Sequence, residues 1–278
     1  MTNREIQEIS CILEAVREQK PIVHHITNYV TVNDCANVTL AIGASPIMAD
    51  ALEEIDDIGS ISSSLVINIG TLNERTVKSM LLAGQKANER CIPVILDPVG
   101  AGASALRNQT VEKLLQEVKI TVLRGNMSEI GFIAGVQKGA RGVDAAHNKD
   151  SLENSAAMVQ EFAQKLNCVV AATGAIDILS DGQRMFYIKN GQAVLGGITG
   201  TGCMCTSLIA SFCGAGKDYL SAAAGGLLCM GIAADLAWPK TQKAGLGSLR
   251  MAIIDELSHM QSGTIEQYAN IVIPLQTD

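Results

Sequence analysis

Aromatic side chains are scarce in this chain: they make up 3% of 278 residues, with a single Trp. Charged residues are also few, at 18%, and 21 basic against 28 acidic side chains give a formal net charge of −7. The chain has no run of Lys or Arg. Nucleic acids and anionic membranes bind to clustered positive charge, so neither is an expected partner.

The first residues also lack the features of a secretory signal peptide. Arg4, Glu5 and Glu8 precede any apolar stretch, so we expect a soluble, cytoplasmic protein. In a reducing compartment its eight cysteines should behave as small buried hydrophobes without disulfides. Residues 190–216 and 219–234 are nearly free of charge, but Gly interrupts the first stretch and Ala and Gly dominate the second. Both are predicted to be core helices rather than membrane spans.

Short β-rich runs alternate with helical patterns along the first two thirds of the chain. The predicted strands are 22–26, 64–69, 93–96, 120–123 and 168–172, and the predicted helices between them include 73–90, 106–117 and 151–166. Such alternation is typical of βαβ units. It predicts an α/β fold with a parallel sheet covered by helices on both faces.

The second half of the chain follows another pattern. Asp-Gly at 181–182 and Asn-Gly at 190–191 divide residues 176–194 into three short segments at hairpin spacing, which predicts a small antiparallel meander at the sheet edge. From residue 201 onward the pattern predicts helices only. Since no repeat or linker interrupts the sequence, we expect one domain over residues 1–278.

Ligands of open parallel sheets bind beyond the carboxyl ends of the strands. Polar residues and glycines follow the predicted strands at these points: Asn28, Asn68, Gly70, Asp97, Arg124, Asn126, Thr173 and Gly174. We therefore expect a ligand site at this edge of the sheet.

A glycine-rich loop at residues 197–203 precedes an apolar helix. Free N–H groups at a helix start attract an anion, and glycines let a phosphoryl group come close. The spacing matches neither the dinucleotide fingerprint nor the Walker loop. Cys203 lies in the first turn of the helix, where the dipole lowers the pKa of a thiol. It is either a base toward a substrate hydroxyl or a packed core residue.

Two carboxylates could hold a hydrated cation beside phosphates. Asp97 ends one strand, and Glu129 lies one turn after Asn126 at the start of a helix. Magnesium is commonly held in this way. The Asn126 and Glu129 spacing is equally that of a helix cap, and both interpretations stay open. Arg124 is either a surface charge or a bidentate phosphate clamp.

His24 and His25 resemble a catalytic pair, but neighbouring strand residues point to opposite faces, so structural histidines are the stronger interpretation. Met48 follows Pro46 and Ile47. It is either a core residue or the floor of a pocket for a heteroaromatic ring.

Five segments together resemble the hydroxyethylthiazole kinase family of the ribokinase-like superfamily. They are PIVHHITNYVTVNDCANVTLAIGASPIMA (21–49), DPVGAGAS (97–104), LRGNMSEI (123–130), ATGAID (172–177) and GITGTGCM (197–204). The resemblance covers nearly the whole chain in the right order. It implies a ribokinase-like, three-layer α/β/α kinase domain with a central, mostly parallel sheet.

The resemblance also implies residue roles. Asp97 and Glu129 would bind Mg²⁺ with support from Asn126, and Arg124 and Thr173 would bind ATP. The thiazole alcohol would contact Met48, Gly200 and Asn28; Gly200, Thr201, Gly202 and Cys203 would form an anion hole, with Cys203 in the position of a catalytic base.

The implied reaction is ATP-dependent phosphorylation of 5-(2-hydroxyethyl)-4-methylthiazole, a salvage step of thiamine biosynthesis. The family is homotrimeric with sites between subunits, which implies the same assembly here. Three alternatives remain: a nicotinamide-hydrate dehydratase of the same superfamily, a hydroxymethylpyrimidine kinase, and an inactive sensor. The segment around Met48 favours a small alcohol over a dinucleotide, and the Cys203 loop separates the chain from the pyrimidine kinases.

Overall fold

The computed structural model describes residues 2–135 and 149–274. Its helices are α1 (Thr2–Gln19), α2 (Val32–Ile42), α3 (Ile55–Ile61), α4 (Glu74–Glu89), α5 (Ala105–Glu117), α6 (Met127–Ile133), α7 (Lys149–Leu166), α8 (Thr201–Ala215), α9 (Tyr219–Thr241), α10 (Leu246–His259) and α11 (Ser262–Tyr268). Its strands are β1 (Ile22–Ile26), β2 (Ser45–Met48), β3 (Ser64–Asn68), β4 (Val94–Asp97), β5 (Val122–Asn126), β6 (Val169–Thr173), β7 (Asp177–Ser180), β8 (Met185–Ile188) and β9 (Ile271–Val272).

These strands form one sheet in the order β2-β1-β3-β4-β5-β6-β7-β8-β9. The pairs from β2 through β6 are parallel, and the pairs from β6 through β9 are antiparallel. The predicted α/β class with a mostly parallel sheet and an antiparallel edge is therefore confirmed.

Two details of the antiparallel edge differ from the prediction. The third segment of the expected meander is a 3₁₀ helix, Ala193–Gly197, and the strand that pairs with β8 comes from Ile271–Val272. The prediction that only helices follow residue 201 is therefore wrong. A two-residue strand carries too little periodicity to be read from sequence, and its pairing partner lies more than 80 residues earlier.

Helices cover both faces of the sheet because side chains alternate along each strand. Val66, Ile95 and Val122 pack into one core with α1, α2 and α8 to α11. Leu65 and Leu96, from the same strands, pack into the other core with α3 to α7. This arrangement is the three-layer α/β/α architecture, and it leaves the strand ends open for a ligand.

The apolar helix α9 is long enough to cross a membrane, but 89% of its apolar window is buried inside the protein. It packs against α8 through small residues. A Cβ atom added at Gly226 would lie 2.5 Å from the backbone nitrogen of Ile209. The prediction of a core helix is confirmed. All eight cysteines are free, and Cys11 and Cys91 are exposed rather than buried as expected.

Candidate active site

The carboxyl ends of β3 and β4 bring two polar side chains into register. Asn68 pairs with Asp97 across the two parallel strands, and both side chains are buried. The Asn68 amide nitrogen donates to Asp97 Oδ2 at 2.9 Å. The Thr206 hydroxyl on α8 donates to the same oxygen at 2.7 Å. The end of the sheet is therefore tied to the first turns of α8.

Asp97 is fully buried, and its second oxygen, Oδ1, has no hydrogen-bond partner among the described residues. Burial raises the pKa of Asp97 to about 6 and outweighs the opposing effect of Arg124, whose Nη1 lies 3.8 Å from Oδ2. A buried carboxylate with one unpartnered oxygen has unused capacity to bind a cation or a water molecule.

Arg124 lies in β5, and its guanidinium lies beside the start of α8. Its Nη2 donates to Thr173 Oγ1 at 2.6 Å, and Thr173 Oγ1 in turn donates to the Gly125 carbonyl at 3.2 Å. The Arg124 side chain is buried, and its Nε has no partner among the described residues. A desolvated guanidinium with a free donor is suited to binding an anion. The surface-charge interpretation of Arg124 is wrong.

Cys203 lies in the first turn of α8, where two amides converge on its sulfur. Asn28 Nδ2 donates to Sγ at 3.3 Å and Asn68 Nδ2 donates at 3.2 Å. Burial, together with the negative charge of Asp97, raises the pKa of Cys203. The lowered pKa that the helix start suggested is therefore not found, because desolvation and the charge of Asp97 outweigh the hydrogen bonds that the sulfur receives.

Asn28 supports the same sulfur from the loop after β1. Its Oδ1 accepts from the backbone N–H groups of Val30 and Thr31 at 3.1 and 3.0 Å, and its Nδ2 also donates to Asn68 Oδ1 at 3.0 Å. The side chain is thus held by internal hydrogen bonds on both sides of its amide. It fixes the loop beside Cys203.

The start of α8 is open in the way that an anion site requires. Gly200 is the N-cap, with φ of +89°, and it supplies no side-chain cap. The first backbone hydrogen bond of the helix runs from Met204 N–H to the Gly200 carbonyl. The N–H groups of Thr201, Gly202 and Cys203 come before it and have no carbonyl acceptor within the helix. A Cβ at Gly202 would lie 2.6 Å from Arg124 Nη1. Glycine therefore lets the guanidinium lie directly against the helix start.

Glu129 is held by two loops at once. Its Oε2 accepts from Asn126 N at 2.8 Å, and the Asn126 side chain accepts from Glu129 N at 2.9 Å. Its Oε1 accepts from Gly100 N at 2.7 Å, in the loop after β4. The capping interpretation of Asn126 and Glu129 is therefore confirmed. Because each carboxylate oxygen can accept more than one bond, the cap and a role beside a cation are compatible.

The donor set fits a hydrated Mg²⁺. Asp97 Oδ1 is buried and has no hydrogen-bond partner among the described residues. The negative charge of Glu129 raises the pKa of Asp97, so the two carboxylates repel each other electrostatically. Among the described residues no group of three or more His, Cys, Asp or Glu could hold a metal. Magnesium retains several waters and binds through one or two carboxylates plus substrate phosphates, which is what this pair can offer.

A cavity of about 520 Å³ opens beside Arg124 and Thr173. Thr201, Gly202 and Cys205 line it from α8, and glycines of several loops complete its wall. Burial raises the pKa of Asp177, which also lines the cavity, to about 6. This volume and lining suit a nucleotide. Another cavity of this size lies at the opposite ends of the strands, away from Asp97 and Arg124.

A smaller cavity of about 340 Å³ lies at the carboxyl ends of β1 and β2. Met48 ends β2 and lines this cavity with 36% of its surface exposed, and His25 and Tyr29 also line it. Met48 therefore lies at a strand end beside a pocket, and the core interpretation is wrong.

Both histidines of β1 are buried and internally bonded. His24 Nε2 donates to the Ala49 carbonyl at 2.8 Å, and His25 Nδ1 donates to the Val23 carbonyl at 3.0 Å. Burial lowers the pKa of His25 to about 4. The interpretation of both as structural histidines is confirmed.

The strand-end cluster consists of Asn28, Asn68, Asp97, Arg124, Thr173 and Cys203. Sequence reasoning had noted Asn68 only as a polar residue after a strand, and it had missed Thr206 and Asp177. Asn68 and Asp97 both end their strands, and this shared position was a usable signal. Thr206, three residues after Cys203, carried none.

Comparisons with known proteins agree with this geometry. A family model described as the hydroxyethylthiazole kinase family matches residues 13–263. A protein named hydroxyethylthiazole kinase from Clostridium beijerinckii is 55% identical over 273 residues, which are 98% of this chain and 99% of the relative. A protein of that name from Ruminiclostridium cellulolyticum is 55% identical over 265 residues, 95% of this chain and 97% of the relative.

Solved structures give the same assignment. The hydroxyethylthiazole kinase protein from Pyrococcus horikoshii superposes with a TM-score of 0.87 at 37% identity, covering 96% of this chain and 98% of that one. A ribokinase-like superfamily protein from Enterococcus faecalis superposes with a TM-score of 0.60 at 12% identity, covering 90% and 95%, and supports the fold alone. The chain belongs to the hydroxyethylthiazole kinase family and has the ribokinase-like fold.

Proposed function

We propose that this protein transfers the γ-phosphoryl group of ATP to the primary hydroxyl of 5-(2-hydroxyethyl)-4-methylthiazole, in thiamine salvage. One observation carries the proposal. The strand-end cluster lies at an open helix start, with a nucleotide-sized cavity on the Arg124 side and a smaller cavity on the Met48 side. Phosphoryl transfer needs two substrates positioned around one anion-binding centre.

On the nucleotide side, Arg124 and Thr173 bind ATP. Their support is that both residues line the cavity and that the Arg124 guanidinium is buried beside it. Asp97 and Glu129 would hold Mg²⁺, with Asn126 fixing Glu129 through the helix cap. When bound, this cation neutralises phosphate charge. The anion hole formed by residues 200–203 receives the transferring phosphoryl group.

On the alcohol side, Met48 provides an apolar, polarisable contact for the thiazole ring. Gly200, at the N-cap of α8, would border the hydroxyl. A side chain is not tolerated there, because an added Cβ would lie 2.6 Å from Thr31 Cγ2. Asn28 holds the sulfur of Cys203 next to this position.

The reaction forms a bond between the alcohol oxygen and the γ-phosphorus and breaks the bond from that phosphorus to the bridging oxygen, which leaves with ADP. The hydroxyl proton would go to the thiolate form of Cys203, which becomes a thiol. Because burial raises the pKa of Cys203, little thiolate is present at neutral pH, and the main contribution of Cys203 is to orient the hydroxyl. A loose transition state depends more on positioning and charge neutralisation than on proton removal.

The proposal includes a single kinase domain, a homotrimer with sites shared between subunits, and a cytoplasmic location. Tyr29 and Val30 support the trimer: they are 80% and 58% exposed, and Tyr29 lines the open alcohol cavity. A second copy of the chain would cover them and close the cavity. Sedimentation velocity tests the trimer, and a monomer at assay concentration would refute it.

The cytoplasmic location is supported by the free cysteines, which are compatible with a reducing compartment.

A mass-spectrometric assay of purified protein tests the reaction. ATP and hydroxyethylthiazole are supplied with Mg²⁺ or with chelator, and hydroxymethylpyrimidine replaces the thiazole in a parallel tube. We expect thiazole phosphate that requires Mg²⁺. Phosphorylated pyrimidine alone would make the protein a pyrimidine kinase. Absence of product from both alcohols would contradict the proposal and favour the dehydratase or a sensor.

A further inference from the structure

Asn68 occupies the centre of the strand-end cluster, between groups with different proposed tasks. It ends β3, its side chain is 1% exposed, and its register partner on β4 is Asp97. Neither cavity described above is lined by it. Its effect on substrates must therefore be exerted through its neighbours.

Hydrogen bonds on both sides fix the orientation of this amide. Its Oδ1 accepts from Gly70 N at 2.9 Å and from Asn28 Nδ2 at 3.0 Å. The Gly70 group is a backbone N–H and can only donate, so Oδ1 must face it. Both N–H bonds of Nδ2 are consequently directed to the opposite side, to Asp97 Oδ2 at 2.9 Å and to Cys203 Sγ at 3.2 Å.

A rotation of the amide by half a turn would place its oxygen against the Asp97 carboxylate. It would also leave the partly buried Gly70 N–H without its acceptor. Both changes are costly in a low dielectric, so the network has one stable arrangement. A Cβ at Gly70 would lie 2.9 Å from Asn68 Oδ1 and 2.9 Å from Asn28 Cβ, so only glycine permits this close approach.

We propose that Asn68 is a positioning residue for phosphoryl transfer, one that sets the sulfur of Cys203 relative to the carboxylate of Asp97. This inference rests on the kinase function proposed above. Asp97 belongs to the nucleotide side and Cys203 to the alcohol side. One amide that donates to both fixes the separation of the two substrates' binding groups, and misplacement of reacting groups is costly to rate.

The test is a double-mutant cycle with Asn68→Ala and Cys203→Ala. Alone, Asn68→Ala is expected to lower kcat by about 10²-fold, as for loss of one preorganised donor, while KM for each substrate changes by less than about threefold. In the Cys203→Ala background the same change should lower kcat at least about fivefold less, because the sulfur it positions is gone.

Thr206→Val is the matched comparison. It removes a donor to Asp97 Oδ2 and conserves side-chain shape, and within the described residues the Thr206 hydroxyl donates to Asp97 Oδ2 and to the Gly202 carbonyl, not to Sγ of Cys203. The loss of kcat in Thr206→Val should multiply with the loss in Cys203→Ala.

Calorimetric binding of the thiazole alcohol, without ATP or Mg²⁺, gives a readout independent of turnover. Its affinity is expected to stay within about threefold of wild type in Asn68→Ala.

The outcomes separate this inference from the proposed function. An inactive wild type overturns the kinase function and the role of Asn68 with it. If the wild type is active, the role of Asn68 alone is overturned by any of three results. These are an unchanged kcat in Asn68→Ala, a loss that lies in KM, or kcat losses of Asn68→Ala and Cys203→Ala that multiply in the double variant. Should Asn68→Ala fail to fold in thermal unfolding, Asn68→Ser replaces it. Its hydroxyl retains one donor, so an intermediate loss with the same coupling is expected.

Discussion

The two ends of helix α8 lie in opposite environments. Its first turns contain Cys203 and Thr206, which are bonded to polar groups of the sheet, whereas Ile209 and Phe212 in its last turns pack only in the apolar core. At the site, burial keeps water away from charged and polar side chains, which strengthens the interactions among them. In the core, burial is the main source of stability.

Glycines show the same contrast. Gly202, at the site, leaves space for the guanidinium of Arg124, and Gly226, on α9, leaves space for the backbone of Ile209. A flexible side chain can move away from an added methyl group, but a helix backbone cannot. Substitutions at the site should therefore affect function first, and substitutions in the helical layer should affect stability first.

The largest effect is expected from Asp97→Ala. It removes the buried carboxylate that joins the sheet to α8, and we expect kcat to fall by about 10³-fold or more, since charge neutralisation dominates a loose transition state. Cys203→Ala should cost about 10²-fold or less, as loss of a weak base. Steady-state kinetics of both variants, with thermal unfolding as the folding control, check this. A greater loss in Cys203→Ala would reverse the proposed order of contributions.

The next effect concerns charge burial in the metal-free protein. The pKa of Asp97 is raised to about 6 in the fold, so between the unfolded and folded values the native state binds more protons than the unfolded chain. Stability is therefore lost as pH rises through the folded pKa. Asp97→Asn removes this dependence. Relative to wild type, its free energy of unfolding should rise by about 2.4 kcal/mol between about pH 4 and about pH 8.

Urea denaturation with chelator present measures this difference. Asn has the shape of a protonated Asp and cannot ionise, so the comparison isolates the charge. A variant whose stability follows that of wild type at every pH would show that Asp97 does not titrate in this range.

A smaller effect tests the helical layer. In Gly226→Ala the new methyl group meets the backbone of Ile209, so we expect a loss of about 1 to 3 kcal/mol in the free energy of unfolding, as for overpacked cores. Gly247→Ala, on the exposed start of α10 with no atom within 4 Å, is the matched control. It should gain up to about 1 kcal/mol from helix propensity. Equal effects in denaturant titrations would contradict the packing argument.

The smallest effect is expected from Gly202→Ala. The added Cβ displaces the end of the Arg124 side chain from the helix start, because it would otherwise lie 2.6 Å from Nη1. KM for ATP should rise about tenfold, corresponding to about 1.4 kcal/mol of lost binding, with little change in unfolding. Calorimetry with ADP checks the affinity. A variant that loses stability as Gly226→Ala does, and keeps its ATP affinity, would remove the distinction between the two glycines.

Local patterns in the sequence were sufficient for much of the fold. Alternating strands and helices predicted the covered parallel sheet, since side-chain periodicity is a property of neighbouring residues. β9 was missed because two residues carry no period, and their place beside β8 depends on contacts distant in sequence. β2 was noticed only through Met48 at its end.

The residues of the site were largely visible as residues that follow strands, because parallel strands end at one edge of the sheet. Asp97, Arg124 and Thr173 were named in this way, Cys203 was named from the glycine-rich loop before its helix, and motif order supplied their family. Their protonation and partners were not visible. The sequence suggested an activated thiol, whereas burial raises the pKa of Cys203.

The sequence by itself determined which side chains reach the edge of the sheet, since that depends on strand length and alternation. Only the tertiary structure decided how they are joined: Asn68 to both Asp97 and Cys203, and Arg124 against Gly202. These contacts link elements up to 135 residues apart in the chain. Their geometry and the loss of water around them arise from packing of the whole sheet against α8, which no local pattern encodes.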